Sequence, residues 1–242
     1  MRVPTYLQDR KAALMHSDHN ASPVNPIPPV VLAFAAVIAL VEIAFQLGAR
    51  GLVGGPDAVG WRLAAIERFA FVPAMLDWML EHGRFPLDFL VRLVAYAFVH
   101  ASFTHMLFVV VFLLALGKMV AEVFNPWAFL ALFFGSAIAA ALAYGLLVDT
   151  RTPLIGGFPA VYGLIGAFTF LLWVRLTVLG EARWQAFTLI AMLLGIQLIF
   201  GLLFGGGMDW VADVAGFSAG FCLSFVLSPG GWARLIDRLR QR

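Results

Sequence analysis

The chain has 242 residues, 62% of them hydrophobic and 12% charged. Soluble domains carry about 45–50% apolar and about 25% charged residues, so this composition excludes an ordinary water-soluble globule. The net charge of +2 is small and dispersed, which gives no basis for nucleic-acid binding, and the single cysteine, Cys222, excludes a disulfide framework or a CxxC metal or redox site.

Residues 1–28 are mostly polar, with Pro23, Pro26 and Pro28 near their end, and read as a disordered cytoplasmic tail. A secretory signal would place its apolar core next to the initial charges, and here that core begins too late. Six apolar runs follow: Pro29–Leu47, Ser102–Val120, Trp127–Val148, Ala160–Val178, Gln185–Phe204 and Trp210–Leu227. Runs of ~20 apolar residues read as membrane spans. They do not alternate as barrel strands would, and only helices and closed barrels satisfy their own backbone in lipid. The expected fold is therefore an all-α polytopic membrane protein, a six-helix bundle over residues 29–228, followed by a basic cytoplasmic tail, 229–242. No long internal repeat is visible, which argues against an inverted-repeat transporter.

With six spans both termini share one side of the bilayer. That side collects ten of the lysines and arginines, and the other side six, five of them in one long loop. The excess of positive charge marks the cytoplasmic side. The long outer loop covers about 48–98. Its stretch 61–80 carries charges on one side and Trp61, Phe69, Phe71, Met75, Trp78 and Met79 elsewhere. That pattern suits an interfacial amphipathic segment or a packed connector.

Few polar residues lie in or near the spans. His100 and His105 flank the start of the second span, but helical neighbours are three or four apart, so a spacing of five puts their rings on different faces. No nearby carboxylate completes a zinc site, and neither a metal nor another cofactor is expected. Glu42 lies toward the outer end of the first span, where an intramembrane acid is either functional, hydrated or paired with arginine. Lys118 and Glu122 are spaced for a surface pair at a helix end. Asp213 falls just inside the last span, where the helix dipole favours an acid, and is followed by Gly216 and Gly220, a small-xxx-small face that lets another helix approach closely. In GGFPAVYGLIGAF (156–168), two glycines and Pro159 form a turn at the head of the fourth span, yet the stretch contains no Ser, Thr, Cys, Asp, Glu, His or Lys.

From about Arg92 to Pro229 the chain resembles the rhomboid intramembrane serine proteases. The resemblance is carried by HASFTH before the second span, GGFPAVYG before the fourth and ADVAGFSAGF in the last. It implies a long first outer loop, with Arg92 where the family usually has a Trp-Arg pair. It also implies a nucleophilic serine in the turn before the fourth span, a histidine base on the sixth, and a histidine and an asparagine on the second that hold the oxyanion. Anchored on Ala160-Val161-Tyr162-Gly163, the resemblance puts Phe158 at the serine and Pro159 at the glycine after it. Anchored on Gly216 and Gly220, it puts Asp213 at the base. His100 and His105 match the span-two histidines, and Val109 stands where the asparagine belongs.

The expected reading is a rhomboid-like pseudoprotease. Its vestigial cavity would be framed by His100, His105, Phe158, Pro159 and Asp213, with Gly163, Gly216 and Gly220 packing the helices, and Asp213 facing His105. Its partners would be the lipid bilayer and the transmembrane helices of other membrane proteins, which it would bind or escort, in what the resemblance implies is a bacterial inner membrane. The alternatives are an active intramembrane serine endopeptidase with an unrecognised nucleophile, and a channel or transporter reusing the cavity.

Overall fold

The computed structural model describes residues 26–204 and 207–229. The two expected tails lie outside these residues, apart from 26–28 and 229 at their inner edges. Among the described residues the regular structure is helical: α1 (Pro29–Ala49), α2 (Trp61–Phe69), α3 (Pro73–His82), α4 (Leu87–Ala95), α5 (Phe103–Ala121), α6 (Pro126–Leu147), α7 (Phe158–Leu179), α8 (Thr188–Phe204) and α9 (Trp210–Leu227). Short 3₁₀ turns at Pro56–Gly60, Tyr96–Phe98 and Arg183–Phe187 join some of them.

Local chemistry sets the ends. Proline opens α1, α3 and α6, where its missing N–H and fixed φ suit the first turn. The Ser102 hydroxyl accepts from the His105 N–H (3.2 Å) to start α5, and the Asn125 side chain accepts from the Ala128 N–H (2.9 Å) to start α6. Gly180, in the left-handed conformation, closes α7.

Helices α1, α5, α6, α7 and α9 are long and apolar enough to cross a bilayer. The remaining expected span is a 17-residue helix, α8, and its first residues, expected to be helical from Gln185, are a 3₁₀ turn instead. Leu40 on α1, Phe108 and Val111 on α5, Leu146 on α6 and Val178 on α7 all point outward. So much exposed apolar surface belongs against lipid.

The most enclosed helix is α7. It packs chiefly on α9, and also on α6 and α5. The α7–α9 contact is made of glycines: a Cβ on Gly216 would run into the Pro159 carbonyl, one on Gly220 into the Gly163 carbonyl, and one on Gly166 into the Phe217 carbonyl. The three expected packing glycines, Gly163, Gly216 and Gly220, therefore lie in one backbone-to-backbone seam. On the other side, Phe34 of α1 meets Phe98, Phe129, Phe133 and Phe134, with the closest centroids 4.6 Å apart. Helix α8 stands off from the bundle, held mainly through the 183–187 turn, which rests on α7.

The 61–80 stretch is not one amphipathic segment. It divides at Ala70-Phe71-Val72 into α2, with no buried residue, and α3, which buries Pro73, Leu76 and Met79 and packs on α6. At the division, Phe71 and Leu154 form an isolated antiparallel bridge (3.1 and 2.8 Å). The Arg92 guanidinium donates to the Glu67 and Ala70 carbonyls (2.9 and 3.2 Å), fastening α4 to the end of α2. The 48–98 segment is thus tied to the strand-like residues that lead into α7.

Candidate functional site

Residues 154–159 form the turn into α7. Its backbone is held from the 48–98 side. The Gly156 N–H donates to the Tyr96 carbonyl (2.9 Å), and the Tyr96 hydroxyl is itself anchored on the Ala137 carbonyl (2.9 Å). The Gly157 N–H donates to Nε2 of His100 (3.2 Å). Gly156 has φ +92°, a conformation favoured by glycine, and a Cβ there would collide with the His105 ring. Val109 of α5 is buried and packs against Gly157.

Phe158 is the first residue of α7, and its ring stacks on His105 with centroids 5.2 Å apart and planes 16° from parallel. His105 in turn meets His100 edge-to-face at 5.1 Å. The sequence expectation that these two imidazoles would point apart is corrected here. It treated both as helical, but the Ser102 cap starts α5 after His100, and the chain bends between them. Among the described residues no third His, Cys, Asp or Glu joins them in a metal-binding group. His100 is 1% exposed, and burial pushes its pKa down to about 4, with the His105 ring beside it acting in the same direction. A neutral ring leaves Nε2 free to accept from Gly157. Nε2 of His105 is buried without a hydrogen-bond partner.

A buried ion pair supports His100 from behind. Glu42 of α1 is 1% exposed, and Arg62 of α2 grips it at both oxygens (2.6 and 2.8 Å). Nη1 of Arg62 also donates to the His100 carbonyl (2.7 Å), and Gln46 donates to Glu42 (2.8 Å). Of the readings open for Glu42, the arginine-paired one is what the structure contains. The Lys118–Glu122 pair also forms, at 3.9 Å.

In front of Phe158 lies a cavity of about 510 Å³. Its walls are Phe112 of α5, Phe158, Val161, Tyr162 and Ile165 of α7, and Leu193 and Ile196 of α8. Its polar end is Gln197 of α8 and Asp213 of α9. Asp213 is 5% exposed; one carboxylate oxygen accepts from the Gln197 amide (2.9 Å), and the Gln197 carbonyl takes a long bond from the Tyr162 hydroxyl (3.5 Å). Of the five residues expected to frame the cavity, Phe158 and Asp213 line it. His100 and His105 stand behind Phe158, and Pro159 lies in the glycine seam.

The expected Asp213–His105 pair is corrected too: among the described residues Asp213 makes no ion pair, and its partner is Gln197, while His105 is taken up by Phe158. Sequence reasoning missed Gln197, Tyr162, Arg62 and Tyr96. Gln197 carried a signal, since it is a carboxamide in the middle of an apolar span.

Three serine hydroxyls are engaged locally, and a fourth is buried away from the cavity. Ser102 caps α5, Ser218 and Ser224 donate to carbonyls one turn back in α9 (2.8 and 2.7 Å), and Ser136 is buried against Gly163 without a hydrogen-bond partner. In this arrangement the Phe158 ring separates the two imidazoles from the cavity, and Asp213 stands at its polar end.

Comparison with protein families matches residues 88–230 to the Rhomboid domain. No curated protein matches the chain. The family match covers the α7 turn, the α7–α9 glycine seam and more than half of the sequence, so this chain is an integral membrane protein of the rhomboid family.

Proposed function

We propose that this protein is a rhomboid scaffold without peptidase chemistry, one that binds or escorts other transmembrane proteins. The observation that carries the reading is Phe158. It occupies the first turn of α7, where the family resemblance puts the nucleophile, and it is stacked on His105. Covalent hydrolysis needs a hydroxyl, thiol, amine or carboxylate beside a base, and a phenyl ring supplies none. Asp213, at the position of the base, is engaged by Gln197. Val109, at the position of an oxyanion donor, packs its side chain on Gly157, and losing one such donor typically costs about 10²–10³ in rate. The retained α7–α9 seam and the apolar cavity open to a lipid-facing residue leave a surface on which a membrane helix can lie. With six spans, the ten lysines and arginines on one side against six on the other support both termini lying in the cytoplasm, in an inner (plasma) membrane.

The direct test is labelling of the purified protein with a fluorescent fluorophosphonate, together with incubation with a helix-destabilised transmembrane substrate. No labelling and no cleavage are expected. Labelling that disappears on mutation of one serine would establish the alternative, an active serine endopeptidase. The double variant Phe158→Ser/Asp213→His should remain weak, because Val109 leaves the oxyanion under-bonded and Pro159 constrains the turn.

A further inference from the structure

The cavity beside Phe158 holds an acid with no cationic partner among the described residues. Asp213 is 5% exposed, and among the described residues it has no ion pair. Gln197 satisfies one carboxylate oxygen, which leaves the other without a protein partner on the cavity wall. Two further acceptors lie at the same end. The Gln197 carbonyl receives only a 3.5 Å bond, and the Tyr162 oxygen, which donates that bond, accepts none among the described residues. The rest of the wall is aromatic or aliphatic. A buried carboxylate calls for a cation, and three open acceptors at the end of an apolar slot match a lysine ammonium, which has three donors, no acceptor and a four-carbon apolar stem.

The position of the acid adds a constraint. Asp213 lies in the first turn of α9, close to one face of the membrane, where long basic side chains of transmembrane helices are tolerated. The slot also reaches the lipid-facing surface. Ile196 belongs to the wall and is 47% exposed, and the loosely held α8 flanks it with Met192, while α5 presents Phe108 and Val111 on the other side. We propose that the cavity is a docking slot for a partner transmembrane helix that carries a lysine within about one turn of its end on the side of the 48–98 segment, with the ammonium seated on Asp213, Gln197 and Tyr162. This rests on the helix-binding reading above and adds the charge that selects the partner.

The experiment uses the full chain in lipid nanodiscs with synthetic single-span Leu/Ala peptides. One peptide has a single lysine one turn from that end, a second has leucine there, and a third has the lysine moved to the opposite end. Association is read by energy transfer between labelled peptide and protein. The lysine peptide should bind about tenfold tighter than the leucine peptide, the size of one charge-assisted hydrogen bond. The preference should be absent for the displaced lysine and should vanish in Asp213→Asn. Equal binding of all three peptides to the wild type overturns the slot and leaves helix binding standing. Binding of none overturns helix binding itself, and the slot with it. A lysine preference that survives in Asp213→Asn overturns the assignment to Asp213. Should Asp213→Asn fail to fold, the displaced-lysine peptide decides on the wild-type protein alone.

Discussion

Removing Arg62 strands a carboxylate inside the bundle. Glu42 is 1% exposed on α1, and its charge is balanced by two short bonds to the Arg62 guanidinium (2.6 and 2.8 Å), with Gln46 giving one more (2.8 Å). Breaking a buried pair by deleting one partner costs about 3–5 kcal/mol, because the survivor stays buried and unpaired. Arg62→Leu is therefore expected to lose that much. For a chain of this length about 1 kcal/mol corresponds to roughly 2–4 °C in Tm, which makes the expected drop roughly 6–20 °C. Glu42→Leu should be milder. The Arg62 side chain retains 24% exposure, so the guanidinium it leaves behind can be hydrated, whereas the Glu42 side chain retains only 2%. The double variant removes both charges and should recover most of the loss. It should still fall about 1 kcal/mol short of the wild type, the cost of the His100 carbonyl that Arg62 no longer serves. Thermal unfolding of the four proteins in one mild detergent, followed by tryptophan fluorescence, gives the cycle. The reasoning fails if Arg62→Leu melts within about 2 °C of the wild type, or if the two single losses simply add in the double variant, since residues in one network must couple.

Two further outcomes follow from the same geometry. The folded-state pKa of His100 is pushed from 6.5 to about 4 by burial, so as pH falls the unfolded chain takes up its proton first. The stability linked to this ring is therefore full above pH 6.5 and is lost as pH falls toward 4, by about 3 kcal/mol in all; melting curves from pH 8 to pH 4 should show the decline, His100→Gln should flatten it, and an unchanged acid slope in that variant would count against it. Gly220→Ala should fail to assemble or melt far lower, because its Cβ would run into the Gly163 carbonyl, whereas Gly195→Ala in α8, with open space around it, should be tolerated; equal melting temperatures for the two would mean that the α7–α9 seam is not close-packed.

Helix limits were legible because lipid imposes one rule on every span. The predicted run Trp210–Leu227 coincides with α9, and Pro29–Leu47 differs from α1 only at its last turn. Gly216 and Gly220 were legible as well, since a spacing of four on an apolar helix has few other uses, and Gly163 came from the family resemblance. The connections behind the α7 turn were not. Arg62 finds Glu42 from 20 positions away and His100 from 38, and His100 finds Gly157 from 57. An arginine in a charged loop carries no mark of the residue it will reach. The His100 and His105 rings were misjudged because a helical spacing was applied across a boundary that the Ser102 cap defines. The Asp213–His105 contact was inferred from a family arrangement in which the residue at 158 is small. With Phe158 there, the ring takes up one face of His105, and the acid turns to an amide that the sequence offered on α8.

The scaffold and the chemistry of this fold depend on different atoms, which is how, on the reading proposed above, one persists without the other. The α7–α9 seam is held by glycines against backbone carbonyls, and the α7 turn by the Gly156 and Gly157 amides on Tyr96 and His100. None of these contacts involves the side chain at 158, 213 or 109. Replacing those three side chains can therefore abolish hydrolysis while every interaction that places the turn against the cavity stays in force. The replacements are also compatible with one another. Phe158 covers the imidazole of His105, Val109 fills the space beside Gly157, and Gln197 engages the Asp213 carboxylate. The head of α7 faces an apolar cavity of about 510 Å³ with one acid, Asp213, at its polar end. On the proposal above, that acid is what tells one membrane helix from another.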